Sequence, residues 1–586
     1  MGNQRNLIEV GIIGCGPRGL SALESLFAEA AKRNQLIKAV VIERTSQSGA
    51  GPVYDINQGK TNWLNVAERA VDVWPRPESR LMDFSIPSFP DFQEWLGFSN
   101  DNRELSKADR FPPRSKMGQY LNERFKSIAT ILIERGLLTS VHGEVVSADK
   151  ENGKVVLKLL GGDCYVVDEA VLTIGHQPVE LDEQLFNWQS RVSELDFPSL
   201  FTQPYPLDSI LESDTITNDK IVAIRGFGLA MIDLVRALSE GFGGKFQVSD
   251  ELKREMKYIP SGKEPYSIIP FSLDGLPMAP KPVNKEIDAP FLPSELELQE
   301  YKSKVTSAIS SEQQPETVDF LIDAIAPLIA KKYGSPMMNA LEHNYTVEEI
   351  KGIAEEWLKD ADFEHALIMP LNNPVVETME GFADMATGFE NASLDFCIGH
   401  VWRHCQPTMY KLLSFSSLSD EVIAKIVALD ERLKRYSYGP PVDSIRQLLA
   451  LEKADLLNLG FVDNPSIALH AGGWQLEYNG KSVVAHIMIN SVLDAPQIEK
   501  VASPLAKGLI NESKVEAVHD ELGIRTREDA VIKFKNKDFD FPLAVLGRLA
   551  KGTIIGVDAI AECFGVRSQL WAEGVFDRME NTSVAE

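Results

Sequence analysis

The chain has 586 residues, of which 44% are hydrophobic and 25% charged, the balance of a globular protein with three or four domain-sized units. A formal charge of −26 argues against sequence-independent nucleic-acid binding, which rests on clustered lysine and arginine. No uninterrupted apolar run approaches the roughly 18 residues of a membrane helix, and five scattered cysteines form no disulfide framework. The start, MGNQRNLIEV, has no basic region leading into an apolar one, and position 6 is Asn6 rather than the Ser or Thr of a myristoylation signal. A cytoplasmic protein with no membrane and no nucleic-acid partner is expected.

The first element is the stretch Val10–Leu20, VGIIGCGPRGL. An apolar run (Val10, Ile12, Ile13) enters Gly14, Gly16 and Gly19 in G-x-G-x-x-G spacing, and a helical pattern follows with Leu20, Leu23, Leu26 and Phe27 on one face. This is a strand, a tight turn and a helix N-terminus. The first glycine permits the turn, the second lets the backbone approach a pyrophosphate, and the third lets helix and strand pack closely. A second strand, KAVVIERT, ends in Glu43, where a carboxylate can accept hydrogen bonds from a ribose.

Gly49 and Gly51 then make a flexible loop, and TNWLNVAERAVDVWPRP mixes Asn62, Asn65 and two tryptophans in a way that suits packing against something flat. In FPPRSKMGQYLNERF, Arg114 precedes a helix that buries Met117, Tyr120, Leu121 and Phe125. Asn152-Gly153 predicts a type I′ hairpin, and the apolar strand after it ends in Thr173, Gly175 and His176. A dinucleotide fold interrupted by a β-meander and resumed at a Thr-x-Gly strand end is the organisation of two-dinucleotide flavoproteins.

The segments GIIGCGPRG, GAGPVYD…WLNVAE, FPPRSKMGQYL and VLTIGHQP together resemble the FAD/NAD(P)-binding-domain flavoprotein family, a bacterial group that includes flavin-dependent amino-acid N-oxygenases. The resemblance keeps the family's order along nearly the whole chain. It implies FAD with its pyrophosphate at Gly14–Gly19, including Pro17 and Arg18, and its ribose at Glu43 beside Arg44. It further implies Val145 in the cofactor set, Asn65 near the isoalloxazine, and Arg114 and Gly175 lining the same site.

KIVAIRGFGLAMIDLVRAL repeats the opening architecture with Gly226 and Gly228, but Met231 stands at the third glycine position, so close helix–strand packing is less assured. The family would use this unit for NAD(P)H. A block that in the family reads Ser-Arg-Arg-Gly-Leu is here Ser272, Leu273, Asp274, Gly275, Leu276. Losing the guanidinium groups removes bidentate phosphate donors and adds a like charge. NADH, NADPH held by Lys281 in an unusual pocket, or another electron donor all stay open.

Residues 291–460 read as helical. Phe320, Leu321, Ile325 and Leu328 have helical spacing around Pro327, Thr346 with Glu349 predicts a capping box, Ser419 caps the next helix, and Gly460 suits the end of SIRQLLALEKADLLNL. This lobe would cover a substrate cavity or form a subunit interface. Cys397, His400, His404 and Cys405 lack paired-thiolate spacing and the glutamate of a helical zinc protease, so core or substrate-facing histidines are expected and no metal. Asn479-Gly480 predicts another hairpin. In the last block a strand reaches Gly547, and Gly552-Thr553 precedes a predicted helix with Ile560 and Phe564. By resemblance this is the closing strand of the FAD domain, its glycines letting the backbone pass the flavin.

The expected fold is α/β, a Rossmann-type two-dinucleotide flavoprotein with an inserted helical lobe. Residues 1–215 plus 461–586 form a discontinuous FAD domain, 216–290 a second Rossmann-like domain, and 291–460 the lobe. The resemblance implies an FAD-dependent oxidoreductase, foremost an NAD(P)H- and O2-using monooxygenase that acts on a small molecule, with N-hydroxylation of an amino acid or amine as the narrower reading. A flavin dehydrogenase or oxidase, or a nucleotide-binding sensor without turnover, are the alternatives. His176, Arg114 and Asp233 each have a structural explanation as good as a functional one, so no catalytic residue is assigned. Oligomeric state is not read.

Overall fold

A computed structural model describes residues 7–97, 106–195, 199–335, 345–493, 497–511, 515–537 and 541–585. Met1–Asn6, read above for a leader, lie outside the described residues.

Two parallel sheets organise the chain. In the first, strands run in the order Leu543–Val545, Glu169–Leu172, Glu9–Ile13, Lys38–Glu43, Leu138–His142, and every pairing is parallel. Alternation along the strands divides their side chains between two cores. Val10, Ile12, Ala39 and Val41 meet the helices Pro17–Arg33, Arg114–Glu134 and Val566–Ala585 on one face. Ile13, Val40, Ile42 and Leu172 meet the antiparallel meander Val145–Glu151, Lys154–Leu159, Cys164–Val167 on the other. A parallel sheet covered on both faces needs near-continuous apolar strands, which is what VGII and AVVI supply. The meander turns at Asn152 and Gly153 with φ of 52° and 80°, the two positive values of a type I′ turn.

The second sheet has the order Ser199–Phe201, Ile487–Asn490, Ile221–Arg225, Ser267–Phe271, again all parallel. Val222, Ile224, Ile268 and Ile489 face the helix Leu229–Ser239 and the lobe, whereas Ala223, Ile269 and Met488 face a second meander, Ser466–His470, Gly473–Tyr478, Lys481–Ala485. The architecture is thus duplicated, helices on one face and a meander on the other, without any repeat in the sequence. Ile487–Asn490 and its meander were expected in the first domain; the strand instead lies between Ser199–Phe201 and Ile221–Arg225. Asn479 and Gly480, with φ of 48° and 75°, form its predicted tight turn.

The lobe comprises the helices Glu295–Ile309, Asp319–Tyr333, Val347–Lys359, Val375–Thr387, Leu394–Leu413, Asp420–Ser437 and Val442–Lys453. Phe396 and Trp402 on Leu394–Leu413 are wholly buried, and the lobe's apolar faces share one core with the second sheet. The predicted capping box is formed, with Glu349 N donating to Thr346 Oγ1 at 3.3 Å and Thr346 N to Glu349 Oε2 at 2.7 Å. The helix expected to reach Gly460 stops at Lys453: Asp455 turns with φ of 58°, and Leu457 bridges in parallel to Ile268 on the second sheet's edge. Likewise the helix expected around Ile560 and Phe564 is only the 3₁₀ turn Ala561–Cys563, and the α-helix starts at Val566. Among the described residues no helix is long and apolar enough to cross a membrane.

Candidate active site: two glycine turns and the cleft between them

The first glycine turn leaves the middle strand of the first sheet at its carboxyl end, where parallel sheets bind ligands. Gly14 has φ of +87°, and its N–H donates to Ile42 O at 2.8 Å. A Cβ on Gly19 would fall 2.1 Å from Gly14 O, so only glycine lets the helix start against the turn. Gly16 is the extended N-cap and Pro17 the first helical residue, which leaves the first-turn N–H groups with no capping side chain. Across from them runs the Gly49–Gly51 loop: Gly49 N donates to Cys15 O at 2.6 Å, and a Cβ on Gly51 would lie 3.0 Å from Gly16 Cα. Free amides and a wall that tolerates no added carbon are what a pyrophosphate cradle requires, and the FAD expected here fits this donor set.

Glu43 closes the adjoining strand. Its carboxylate is buried and accepts from Cys15 N at 2.5 Å and Thr45 N at 2.9 Å, two of the about four bonds a carboxylate can take. Room for a ribose hydroxyl is left. Thr173 Oγ1 donates to Ile13 O at 3.1 Å and to Gly14 O, stitching the third strand to the turn. Gly175 follows with φ of +64° and open space where a Cβ would point.

Several residues expected at the cofactor have partners within the protein. Arg18 does not face the cradle: its guanidinium donates to Val557 O at 2.7 Å and Glu562 O at 3.1 Å, pinning the C-terminal segment to the first helix. Gly547 makes room for that arginine, since a Cβ there would meet Arg18 Nε at 2.5 Å. Gly552 packs on Leu522 and Val518, and the Val145 side chain lies in the core between sheet and meander. Arg44 is exposed, with its carbonyl accepting from His142 Nε2 at 3.0 Å.

Arg114 opens its helix but reaches into the second unit. Nη2 lies 2.7 Å from Asp233 Oδ2, Nη1 3.3 Å from Tyr205 Oη, and Tyr205 Oη donates to the same Asp233 oxygen at 2.6 Å. One turn on, Arg236 stacks 4.0 Å over Trp63 and bonds Thr61 O, Ser444 Oγ and Gln447 Oε1. The helix behind the second glycine turn is thereby fastened to the Asn62–Asn65 loop of the first domain. Gly226 has φ of +119°, and a Cβ there would strike Ser491 Oγ at 2.3 Å; Gly228 is an extended N-cap with open space beside it. The second turn thus has the same uncapped donors and suits a second dinucleotide.

Asn65 also marks the cleft, its carbonyl accepting from Lys281 Nζ at 2.6 Å. Lys281 Nζ gives a second bond to Gly439 O at 2.5 Å, so it joins the first domain to the lobe and is not held out for a phosphate. Burial, then the Arg403 cation, pushes its ammonium down to about 7.

At the carboxyl ends of the first sheet's strands, His176 has exposed surface yet is surrounded by protein. Desolvation, then Arg548, pushes its imidazole down to about 4. Beside it Asp558 receives Lys434 Nζ at 2.6 Å, Arg548 Nη1 at 2.9 Å and Lys551 Nζ at 3.3 Å, while Glu431 pairs with both lysines. Burial opposes the Asp558 charge, but Lys551, Lys434 and Arg548 outweigh it and hold the carboxyl well below its usual range. Three cations against two carboxylates leave this cluster positive in a strongly acidic chain. Burial pushes nearby Glu562 up to about 7, against the Ala559 N–H it accepts. Sequence spacing gave no sign of this cluster, whose members come from three distant segments. Among the described residues no group of His, Cys, Asp and Glu could hold a metal ion. His400 packs on Phe291 and Phe396, and His404 Nε2 lies 3.1 Å from Asp288.

Comparison with known proteins agrees with this geometry. A family described as FAD-NAD(P)-binding matches residues 11–177. Nitrosuccinic acid synthase of Aspergillus oryzae is 31% identical over 269 residues, 44% of this chain and 38% of that protein. An L-aspartate N-monooxygenase (nitrosuccinate-forming) of Streptomyces cremeus is 26% identical over 285 residues, 44% of this chain and 41% of its own length. The chain thus spans about two fifths of the curated relatives it matches. Among solved structures, the reduced form of ornithine hydroxylase from Pseudomonas aeruginosa superposes with a TM-score of 0.44 at 11% identity, over 98% of this chain and 100% of the other. The segment matched by the FAD-NAD(P)-binding family, residues 11–177, holds the first glycine turn, the Gly49–Gly51 wall and the Thr173–Gly175 strand end.

Proposed function

We propose that the chain is an FAD-dependent monooxygenase that takes electrons from a reduced nicotinamide nucleotide and hydroxylates the amino nitrogen of a small acidic amino acid. The observation that carries this reading is the pair of uncapped glycine turns, whose two units are joined by the Arg114–Asp233 ion pair. Bound flavin would supply the redox and oxygen chemistry; the chain supplies position, charge and exclusion of water. Gly16 and the first-turn amides would hold its pyrophosphate and Glu43 a ribose hydroxyl. Gly228 opens the facing turn to the electron donor.

The charge cluster at His176 suits the substrate. Lys434, Lys551 and Arg548 offer charge-assisted donors to a carboxylate, and Asp558 and Glu431 keep those long side chains ordered before it arrives. His176, held neutral near pH 7, and Glu562, near its midpoint there, are groups able to accept a proton from an ammonium, which must lose one before its nitrogen can be oxidised. The names of the relatives support aspartate as the first substrate to try. Five cysteines without a disulfide support a reducing, cytoplasmic setting.

The test is O2 uptake by the purified, FAD-loaded chain with a reduced nicotinamide nucleotide, with and without L-aspartate, together with mass analysis of the product. Substrate-stimulated uptake with an N-oxygenated product is expected. Hydrogen peroxide formation unaffected by any amino acid would instead identify an oxidase.

A further inference from the structure

We propose that Asp274 selects the nicotinamide nucleotide, admitting NADH and turning NADPH away, with Arg435 holding the carboxylate in place. This rests on the reading of the second glycine turn as a nicotinamide dinucleotide site.

Strand Ser267–Phe271 lies parallel beside Ile221–Arg225 with Arg225 opposite Phe271, and Gly226 N donates to Phe271 O at 2.7 Å. The end of this strand therefore touches the glycine turn. In a strand–turn–helix–strand dinucleotide unit, the residue just past the second strand meets the adenosine ribose. A carboxylate there accepts the 2′-hydroxyl, whereas a guanidinium accommodates a 2′-phosphate. Asp274 occupies that place. Leu273 beside it is 86% exposed and has nothing to donate.

The Asp274 carboxylate is oriented on both oxygens. Oδ1 accepts from Ser272 Oγ at 3.2 Å and Leu276 N at 3.1 Å, and Oδ2 accepts from Arg435 Nη2. Of about four acceptor positions, one on Oδ2 is open, and the side chain is 52% exposed. A ribose 2′-hydroxyl can donate to it with the ion pair intact. A 2′-phosphate would have to draw Arg435 off Asp274 and then lie against a carboxylate stripped of its counter-charge, a like-charge contact that costs affinity. Arg435 comes from the lobe helix Asp420–Ser437, and its carbonyl accepts from Ala279 N at 3.0 Å, so the lobe itself fixes the pair.

The experiment is calorimetric titration of the FAD-loaded full chain with NAD+ and with NADP+, alongside anaerobic flavin reduction by NADH and NADPH. NAD+ should bind tighter by about ten- to a hundredfold, the worth of one or two charge-assisted hydrogen bonds. Asp274→Ser should weaken NAD+ and strengthen NADP+, because Arg435 is released to the phosphate; Arg435→Gln should keep the preference for NAD+. Equal or tighter NADP+ binding by the unmutated chain, or loss of the preference in Arg435→Gln, would overturn the assignment while leaving the second turn a nicotinamide site. If neither nucleotide binds, the assignment and the reading beneath it both fall.

Discussion

Arg114 and Asp233, 119 positions apart, form an ion pair of 2.7 Å that joins a helix of the first dinucleotide unit to the helix of the second. Both are largely buried, and Tyr205 bonds each of them. Breaking such a pair leaves one charge in a poor medium. Asp233→Asn should cost about 3 kcal/mol by denaturant unfolding, and Arg114→Lys should destabilise as well, because a shorter side chain ending in a compact ammonium does not reproduce the planar fork that sets Nη2 on Asp233 and Nη1 on Tyr205. The same variants should slow anaerobic flavin reduction. Unchanged stability together with an unchanged reduction rate would remove the pair from the device that aligns the two units.

The glycines separate into those that shape the backbone and those that leave room. Gly19→Ala would push a methyl to 2.1 Å from Gly14 O, so the helix must move away from the cradle. The purified variant should lose most of its flavin absorbance on gel filtration. Gly228→Ala meets nothing within 4 Å, so it should fold and keep FAD while binding the nicotinamide nucleotide about tenfold more weakly. A Gly228→Ala protein with undiminished nucleotide affinity would show that the second turn is not the contact.

Lys281 sets a pH dependence of stability. Its folded value, about 7, lies below the ordinary 10.5. Below about pH 7 folded and unfolded chains both hold the proton; between about 7 and 10.5 only the unfolded chain does. Its contribution to stability therefore rises with pH across that window. Lys281→Met should flatten the slope of unfolding free energy between about pH 7 and 9.5 by up to one proton per molecule. A slope unchanged in the variant would mean that Lys281 is not the titrating group.

The cation cluster at His176 should discriminate among substrates by charge. Arg548→Ala removes a donor and leaves the Asp558 carboxylate less balanced. The KM for an acidic amino acid should rise about tenfold, the worth of one charge-assisted hydrogen bond, and by more than for a neutral amino acid. Steady-state kinetics with aspartate and asparagine makes the comparison. Equal effects on both would place the carboxylate contact elsewhere.

Features made within a few residues were legible in the sequence. The Gly14–Gly19 turn, both Asn-Gly hairpins and the Thr346–Glu349 box follow from local backbone chemistry, and each has its expected geometry. What pairs across the chain was not. Arg18 has the spacing of a phosphate ligand, yet its partners are the carbonyls of Val557 and Glu562, more than 500 residues away. Gly547 reads as a flavin contact in the sequence, which gives no sign that it also makes room for Arg18. Strand Ile487–Asn490 is a short apolar run that either sheet could accept, and only the partners on both its edges decide between them. Asp274 stood out as a departure in the sequence, but its partner Arg435 lies on a helix 161 positions away.

The placement of two strands has a consequence for how the protein is made. Ile487–Asn490 fills the middle of the second sheet, and Leu543–Val545 forms an edge of the first. During synthesis, with the chain emerging from its N-terminus at about 5–20 residues per second, the lobe helices are out well before either sheet is complete. The nascent protein must therefore wait with three strand edges unpaired, those of Ser199–Phe201 and Ile221–Arg225 in the second sheet and that of Glu169–Leu172 in the first, until residues 490 and 545 arrive. A chain cut short before Val545 would lack a strand in at least one sheet, so it should fail to hold nucleotide at the carboxyl ends of that sheet.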